Sequence, residues 1–211
     1  MINIVNQNSK NLLIIFARDT VMGKVKTRLS QDIGEQAALD IYNYLLQQTF
    51  EITRELPVEK IVSYADGIPE KDIWDNAVYK KSLQQGNDLG ERMQNAFEEG
   101  FSQGFNNISL IGSDLFDLTR EDLERAFKEL EHYPYVIGPA TDGGYYLIGM
   151  KQEDEQIFKN KAWGTSRVFQ DTVKDLCDKE VFYLEYRNDV DVVSDIKHIP
   201  HFQQYLQYKQ I

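Results

Sequence analysis

The chain has 211 residues, and its 23 Lys and Arg against 34 Asp and Glu give a formal net charge of -11. A hydrophobic content of 42% with 27% charged residues is typical of soluble globular proteins and excludes fibrous and intrinsically disordered classes. This length predicts a single domain over residues 1–211. Because the surface as a whole is acidic, we expect no nucleic-acid partner.

The sequence carries no sign of export or of membrane insertion. The first ten residues, MINIVNQNSK, lack the apolar core and the small-residue cleavage site of a secretory signal. No stretch approaches the roughly 18 apolar residues of a membrane span. The single cysteine, Cys177, excludes an internal disulfide and a metal site built on cysteine pairs. We therefore expect a cytoplasmic protein.

Short apolar runs that are rich in β-branched and aromatic residues predict six strands. They lie at Leu12–Phe16, Ile61–Tyr64, Ile108–Ile111, Tyr135–Ile137, Tyr145–Ile148 and Val181–Leu184. Apolar residues at helical spacing between them predict helices within 38–46, 89–101 and 123–130, and a further helix from Ser166 to about Lys179. Thr119, with Asp122 three residues later, is a candidate N-cap of the third helix.

Strands that alternate with helices predict a three-layer α/β/α fold with a mostly parallel central sheet. The run at 145–150 follows two glycines and could return antiparallel, which would make the sheet mixed. The ends of parallel strands share one edge of a sheet, where open α/β folds bind ligands.

A basic loop follows the first strand. It contains Arg18, Lys24, Lys26 and Arg28, together with Gly23. The chain as a whole is acidic, but this loop carries a cluster of positive charges. Such a cluster favours a phosphate-binding site, because a polyanion needs a focused basic patch. The alternative is that these are merely solvated surface charges.

Carboxylates follow two of the predicted strands. Asp114 comes just after the strand at 108–111 and is a candidate ligand for Mg²⁺ or Mn²⁺, which often take only one or two protein carboxylates. Its alternative role, capping the next helix, could be filled by Asp117 or Thr119. Asp189 and Asp191 follow the last strand and could supply a second metal ligand, or form a turn before a helix from Val192.

The segment Gly138–Tyr146 encloses one carboxylate, Asp142, among residues that permit unusual backbone conformations. Asp142 could orient an acceptor hydroxyl, act as a general base, or hold the turn. Gly143 and Gly144 allow the main chain to approach a ligand closely. Tyr145 and its neighbour Tyr146 are suited to contact a sugar or a base, although one of an alternating pair should face the core.

Taken together, these segments resemble the nucleotide-diphospho-sugar transferase superfamily with its GT-A type fold. The nearest likeness is to small bacterial proteins labelled selenodomain-associated or arsenosugar-biosynthesis glycosyltransferases. The stretches that carry it are LIIFAR at 13–18, GKVKTRL at 23–29, QGNDLGERM at 85–93, IGSD at 111–114, GPATDGGYYLIG at 138–149, AWGTSRV at 162–168 and DVD at 189–191. They span nearly the whole chain in order.

The resemblance implies a role for each matching position. Lys24, Lys26 and Arg28 would handle the nucleotide phosphates, and Asp114 with Asp191 would bind the metal. Asp88, Leu89, Gly90 and Arg92 would lie near the base and ribose. The acceptor or sugar side would be formed by Gly143, Gly144, Tyr145, Trp163 and Thr165.

Three functions remain open at this point. The first is transfer of a sugar from a nucleotide diphosphate sugar to a small-molecule acceptor, with Asp142 contacting the acceptor. The second is a nucleotidyltransferase that joins a nucleoside triphosphate to a phosphorylated small molecule and releases pyrophosphate. Such enzymes usually cradle the triphosphate with a loop of several glycines, and this loop has only Gly23. The third is a non-catalytic module that binds a nucleotide sugar.

Overall fold

The computed structural model describes residues 10–209, so the first nine residues, for which we expect no export signal, lie outside them. Seven strands form one sheet. They are β1 (Asn11–Ala17), β2 (Glu59–Tyr64), β3 (Lys80–Leu83), β4 (Asn107–Gly112), β5 (Tyr135–Pro139), β6 (Tyr145–Met150) and β7 (Val181–Tyr183). The helices are α1 (Thr27–Ile33), α2 (Glu35–Thr53), α3 (Leu89–Ser102), α4 (Arg120–Glu129), α5 (Val168–Asp175) and α6 (Val193–Ile196), with 3₁₀ segments at Glu155–Phe158 and Pro200–Lys209.

The strand order is β3-β2-β1-β4-β6-β5-β7. Every neighbouring pair is parallel except the two pairs that contain β6, which runs against both β4 and β5. The predicted mixed and mostly parallel sheet is thereby confirmed, including the reversed strand after the two glycines. Six of the strands direct their carboxyl ends to one edge.

The central strand β1 is buried on both faces, because alternate residues of a strand point to opposite sides. Leu13 and Ile15 pack into a core layer with α2 and α4, while Leu12 and Ile14 pack into a second layer with α3 and α5. The continuous apolar run of β1 is therefore what a sheet covered by helices on both sides requires. This arrangement confirms the three-layer prediction.

Helix α4 begins where the sequence indicates. The Thr119 hydroxyl accepts a hydrogen bond from the Asp122 N–H at 3.2 Å, and the Thr119 N–H donates to Asp122 Oδ2 at 3.0 Å. This reciprocal capping satisfies two N–H groups that the helix itself cannot bond. Asp114 is left without a capping role in α4 and is available to the sheet edge.

Three elements differ from the prediction. Helix α1, at Thr27–Ile33, was not predicted. Strand β3 was not predicted, because its sequence, KKSL, carries no apolar run; it forms the exposed edge of the sheet beside β2. The helix expected from Ser166 to Lys179 extends only from Val168 to Asp175. Its residues before Val168 form a turn instead, in which the Thr165 N–H donates to the Ala162 carbonyl at 3.2 Å.

The turn between β5 and β6 depends on Gly143. Its φ is +92°, and a β-carbon there would lie 2.2 Å from the Ser166 carbonyl oxygen. Its own carbonyl accepts a hydrogen bond from the Phe169 N–H at 2.8 Å. The turn is thus held against the segment that leads into α5, and only glycine fits there without displacement.

We predict that Gly143→Ala lowers the free energy of unfolding by about 2 kcal/mol or more, since it adds a clash with backbone to the cost of a positive φ. Urea unfolding followed by circular dichroism measures the change. Gly104→Ala is the matched control, because Gly104 has a φ of +83° but open space around it. It isolates the conformational cost, about 1 kcal/mol. Equal losses in the two variants would contradict the proposed contact with Ser166.

Candidate active site

A cleft of about 760 Å³ opens at the edge of the sheet where the parallel strands end. Its walls come from the loops after β1, β4, β5 and β7 and from the start of α3. The sequence-predicted residues that line it are Arg18, Lys24, Lys26, Arg28, Asp88, Leu89, Arg92, Asp114, Asp142, Gly144, Tyr145, Trp163, Thr165 and Asp191. Gly23, Gly90 and Gly143 do not line it. Residues that are far apart in sequence therefore meet in one cavity, although their chemical roles stay predictions.

The basic loop and the acidic residues are in direct contact. Lys26 Nζ lies 3.0 Å from Asp114 Oδ2 and 4.0 Å from Asp191 Oδ1, and the Lys26 side chain is only 5% exposed. Arg28 Nη1 lies 2.7 Å from Asp191 Oδ2. The other two cations of the loop do not contact these carboxylates. Lys24 is exposed to solvent, and Arg18 Nη1 lies 3.6 Å from Asp66 Oδ2.

Lys26 adopts a conformation that is unusual for a residue with a side chain. Its φ of 46° and ψ of 45° place it in the left-handed region, immediately before α1 begins at Thr27. Residues with a side chain are disfavoured there, and such conformations tend to be found at functional sites. Gly23, three residues earlier, also has a positive φ, of 75°. The loop therefore turns sharply twice between β1 and α1.

A tyrosine from α2 joins the loops that follow β1 and β4. The Tyr42 hydroxyl accepts a hydrogen bond from the Arg18 N–H at 2.8 Å and lies 3.4 Å from the Ser113 hydroxyl. Burial raises the pKa of Tyr42, so the hydroxyl remains protonated and can donate as well as accept. The sequence pattern identified Tyr42 only as part of an apolar helix face. Nothing local indicated that its polar tip would fix the position of Arg18 and Ser113.

Main-chain hydrogen bonds hold the segment after β7 across two neighbouring loops. The Arg187 N–H donates to the Pro139 carbonyl at 3.1 Å, and the Thr141 N–H donates to the Arg187 carbonyl at 3.0 Å. Further along, the Val190 N–H donates to the Asp114 carbonyl at 3.1 Å. These bonds place the two acidic residues at 189 and 191 beside Asp114.

The Arg187 side chain strengthens this connection. Its Nη2 lies 2.9 Å from Asp122 Oδ1 and 2.7 Å from Asp122 Oδ2, and its Nη1 lies 3.6 Å from Asp117 Oδ2. Burial alone would raise the pKa of Asp122, but hydrogen bonds from Arg187 and Thr119 outweigh it and lower that pKa. The carboxylate that caps α4 thus also anchors the loop of Asp189. Sequence reasoning missed Arg187, since it lies outside every recognised motif.

Negative charge accumulates on one side of the cleft. Burial, with Asp114 and Asp142 nearby, raises the pKa of Asp189 to about 6, and Lys26 acts in the opposite direction. A carboxyl group in such surroundings is harder to ionise because its charged form is poorly solvated and repelled. Asp189 is half-buried, whereas Asp142 is exposed.

Asp114 and Asp191 have a donor chemistry that fits a divalent metal. Their carboxylates already face a common cation, the ammonium of Lys26. Within residues 10–209, no group of three or more His, Cys, Asp or Glu side chains is arranged to hold a metal. Mg²⁺ and Mn²⁺ need only one or two protein carboxylates when phosphate and water oxygens supply the rest, so this pair suits them.

Asp142 is held by its own turn. Its Oδ1 accepts a hydrogen bond from the Gly144 N–H at 2.8 Å. The turn-holding role considered for this residue is therefore present in the structure. The rest of the carboxylate faces the cleft, where the acceptor role stays a prediction.

Two aromatic side chains, Tyr145 and Trp163, also line the cleft. The rings of Tyr145 and Trp163 lie edge to face with centroids 6.5 Å apart. Burial raises the pKa of the Tyr145 hydroxyl well above its usual range, and its polar contact is the Met93 sulfur at 3.9 Å. Trp163 also covers Gly90, where a β-carbon would lie 2.4 Å from the indole Nε1. Gly90 therefore allows α3 to pack against this wall.

The start of α3 completes the cleft. Asp88 caps the helix, because its Oδ1 accepts a hydrogen bond from the Glu91 N–H at 2.9 Å. Leu89 is exposed, and Arg92 donates from Nε to the Gly86 carbonyl at 3.2 Å. Gln84 and Asn87 also line the cavity and were not among the predicted residues. Their place follows from β3, the strand that the sequence did not reveal.

Comparisons with known proteins agree with this architecture. A crystal structure from Desulfovibrio desulfuricans G20, described as a "putative nucleotide-diphospho-sugar transferase", is 32% identical; the match covers 95% of this chain and 93% of that one, with a TM-score of 0.82. A manganese complex of Rv0371C from Mycobacterium tuberculosis H37Rv is 11% identical over 92% and 99% of the two chains, with a TM-score of 0.56. The inositol-1-phosphate CTP transferase from T. maritima is 12% identical over 96% and 97%, with a TM-score of 0.55.

The last two similarities concern the fold alone. A search of curated proteins found no match. With the sheet order described above, the D. desulfuricans structure places the chain in the nucleotide-diphospho-sugar transferase superfamily. Residues 48–165 match the family "Uncharacterized protein conserved in bacteria (DUF2064)", and the chain belongs to that family. The narrower resemblance to selenodomain-associated or arsenosugar-biosynthesis glycosyltransferases stays a prediction. None of the helices in the described part of the chain is long and apolar enough to cross a membrane.

We predict that Arg187→Met lowers the free energy of unfolding by about 2 kcal/mol or more, because it leaves the half-buried Asp122 carboxylate without its partner. Urea unfolding measures the loss. Arg120→Met is the control, since Arg120 forms exposed ion pairs with Glu124 and Glu55 that should contribute little. A loss no larger than that of the control would show that Arg187 does not anchor the loop.

A second prediction concerns the titration of Asp189 in metal-free protein. Its folded pKa of about 6 lies above its ordinary value of 3.8, so the folded state binds more protons between these values. The contribution of Asp189 to stability should therefore fall as the pH rises from about 4 to about 6 and stay constant above that range.

Carbon NMR of the carboxyl groups measures this pKa directly. We expect Asp114→Asn to lower it, because a repelling charge is lost, and Lys26→Met to raise it, because an attracting charge is lost. Asp178→Asn, at an exposed position after α5, should leave it unchanged. Shifts in the same direction for the first two variants would contradict the charge arrangement.

Proposed function

We propose that the protein is a metal-dependent glycosyltransferase that moves a sugar from a nucleotide diphosphate sugar to a small-molecule acceptor. The observation that carries the proposal is the contact between Lys26 and Asp114 inside one cleft. It puts cations suited to a diphosphate next to carboxylates suited to the divalent metal that accompanies it. The 32% identical relative described as a nucleotide-diphospho-sugar transferase supports the same substrate class.

In this proposal Lys24, Lys26 and Arg28 bind the diphosphate and stabilise the negative charge that grows on it as the sugar leaves. Such pre-positioned electrostatic stabilisation is commonly the largest contribution to catalysis. Asp114 and Asp191 would hold Mg²⁺ or Mn²⁺, which when bound would neutralise part of the same charge. The manganese complex of a protein with a similar fold supports this choice of ion.

The remaining residues of the cleft are assigned to the nucleoside and to the sugar or acceptor. Asp88, Leu89 and Arg92 are placed near the base and ribose of the nucleotide. Tyr145, Trp163 and Thr165 border the sugar or acceptor. Asp142, at the turn between β5 and β6, is the candidate for contacting the acceptor hydroxyl, and the hydrogen bond from the Gly144 N–H would orient its carboxylate. Gly90 supports this wall from behind.

A second candidate function, nucleotidyl transfer, is favoured by the shared fold of the T. maritima CTP transferase. The loop after β1 speaks against it. Loops that cradle a triphosphate usually rely on several glycines whose N–H groups turn inward. In the loop from Arg18 to Arg28 only Gly23 is a glycine, and the second sharp turn is made by Lys26. The third candidate, a non-catalytic nucleotide-sugar-binding module, predicts binding without turnover.

The products decide between these functions. Purified protein should be incubated with Mn²⁺ or Mg²⁺, a panel of nucleotide diphosphate sugars and hydroxyl-bearing small molecules. Glycosyl transfer predicts release of a nucleoside diphosphate, whereas nucleotidyl transfer from a triphosphate predicts release of pyrophosphate. Tight ligand binding in a thermal-shift assay without any product over long incubation would favour the binding module.

Once an activity is found, Asp114→Asn should reduce the rate by about 10² to 10³, as expected when one charge-stabilising group is lost. The change is measured in steady-state kinetics at saturating metal. Asp178→Asn is the matched control, because it removes an exposed carboxylate outside the cleft. An unchanged rate for Asp114→Asn would exclude the proposed metal role.

A further inference from the structure

The ammonium of Lys26 occupies the space between the two proposed metal ligands. Its Nζ lies 3.0 Å from Asp114 and 4.0 Å from Asp191, and its side chain is 5% exposed against 40% and 36% for the two carboxylates. The lysine is therefore the most buried of the three side chains. Its ammonium group contacts both carboxylates, as a bound metal cation would.

One oxygen of each carboxylate is already bonded to a cation of the basic loop. Asp114 Oδ2 accepts a hydrogen bond from Lys26 Nζ at 3.0 Å. Asp191 Oδ2 accepts from Arg28 at 2.7 Å. A divalent cation that approached the pair in this state would meet the positive charges of Lys26 and Arg28 at close range, where like charges repel strongly.

The backbone of Lys26 indicates that this arrangement is maintained at a cost. A left-handed conformation is unfavourable for lysine, and no side chain caps α1 at this position. The ion pair with Asp114, in which the lysine is buried, is the contact that accompanies this conformation. Were the pair broken, the residue could return to a common backbone conformation and turn its side chain elsewhere.

We propose that Lys26 is an internal cation that holds the Asp114–Asp191 pair until a diphosphate draws it away, so that the divalent metal binds together with the nucleotide and only weakly before it. This inference rests on the proposed function and adds an order of binding to it. The diphosphate supplies oxygen atoms for the ammonium of Lys26, and Lys24 lines the same cleft. Asp114 and Asp191 are then free for the metal, which phosphate oxygens help to coordinate.

Metal binding to the ligand-free protein tests this order without any assay of activity. Electron paramagnetic resonance of Mn²⁺ reports the free ion and so gives its dissociation constant. We expect weak binding by the unmodified protein and a gain of at least about tenfold in affinity for Lys26→Met, the size of coupling found between interacting sites. Lys81→Met is the matched control. It removes a similarly buried lysine from another aspartate, Asp72, and should leave Mn²⁺ binding unchanged.

A double variant separates the failure of this proposal from failure of the proposed function. Asp114→Asn added to Lys26→Met should abolish the gain in affinity. If the gain persists, Mn²⁺ binds elsewhere and the Asp114–Asp191 metal site is wrong. If Lys26→Met binds Mn²⁺ no better than the unmodified protein while Asp114→Asn still impairs turnover, the metal site stands and the role of Lys26 as an internal cation is wrong.

A measurement on the unmodified protein covers the case in which Lys26→Met does not fold. The ammonium group of a buried lysine in an ion pair is observable by ¹⁵N NMR. Mg²⁺ alone should leave the Lys26 signal unchanged, whereas Mg²⁺ with methylene diphosphonate, a stable diphosphate, should shift it. A shift on addition of Mg²⁺ alone would overturn the proposal.

Discussion

The ion pair between Lys26 and Asp114 joins segments that are 88 residues apart in the chain. It connects the loop after β1 with the loop after β4, two strands that lie side by side in the centre of the sheet. Because the Lys26 side chain is only 5% exposed, its attraction to Asp114 is less screened by water than that of a pair with both partners at the surface. The shape of the cleft and the balance of charge in it both depend on this contact.

The charges around this pair differ from the overall charge of the protein, which would repel the anionic ligand that we propose. A net charge of -11 repels anions from most of the surface. The cleft nevertheless contains four carboxylates, at Asp114, Asp142, Asp189 and Asp191. Lys26 and Arg28 of the basic loop pair with two of them. This mixture of charges is the reason why we propose a diphosphate with a divalent metal as the ligand.

Rigid neighbours hold these charges in place. Tyr42 fixes the main chain at Arg18, and Arg187 ties the segment before Asp189 to Asp122 at the start of α4. Tyr42 belongs to the buried face of α2, and Arg187 follows the last strand, β7. These contacts fix the main chain at Arg18 and the segment before Asp189, while the side chain of Lys26 is the group that we propose to move when a ligand binds.

The sequence by itself determined the layered α/β architecture, the reversed strand after the paired glycines and the cap of α4, because each depends on hydrophobic spacing or on contacts within a few residues. It also indicated the charged residues of the cleft, since loops after parallel strands converge on one edge. Only the tertiary structure decided that Lys26 lies between Asp114 and Asp191, that Trp163 covers Gly90, and that the polar segment at 80–83 pairs with β2. These contacts depend on strand register and on packing between distant segments, and no local pattern encodes either.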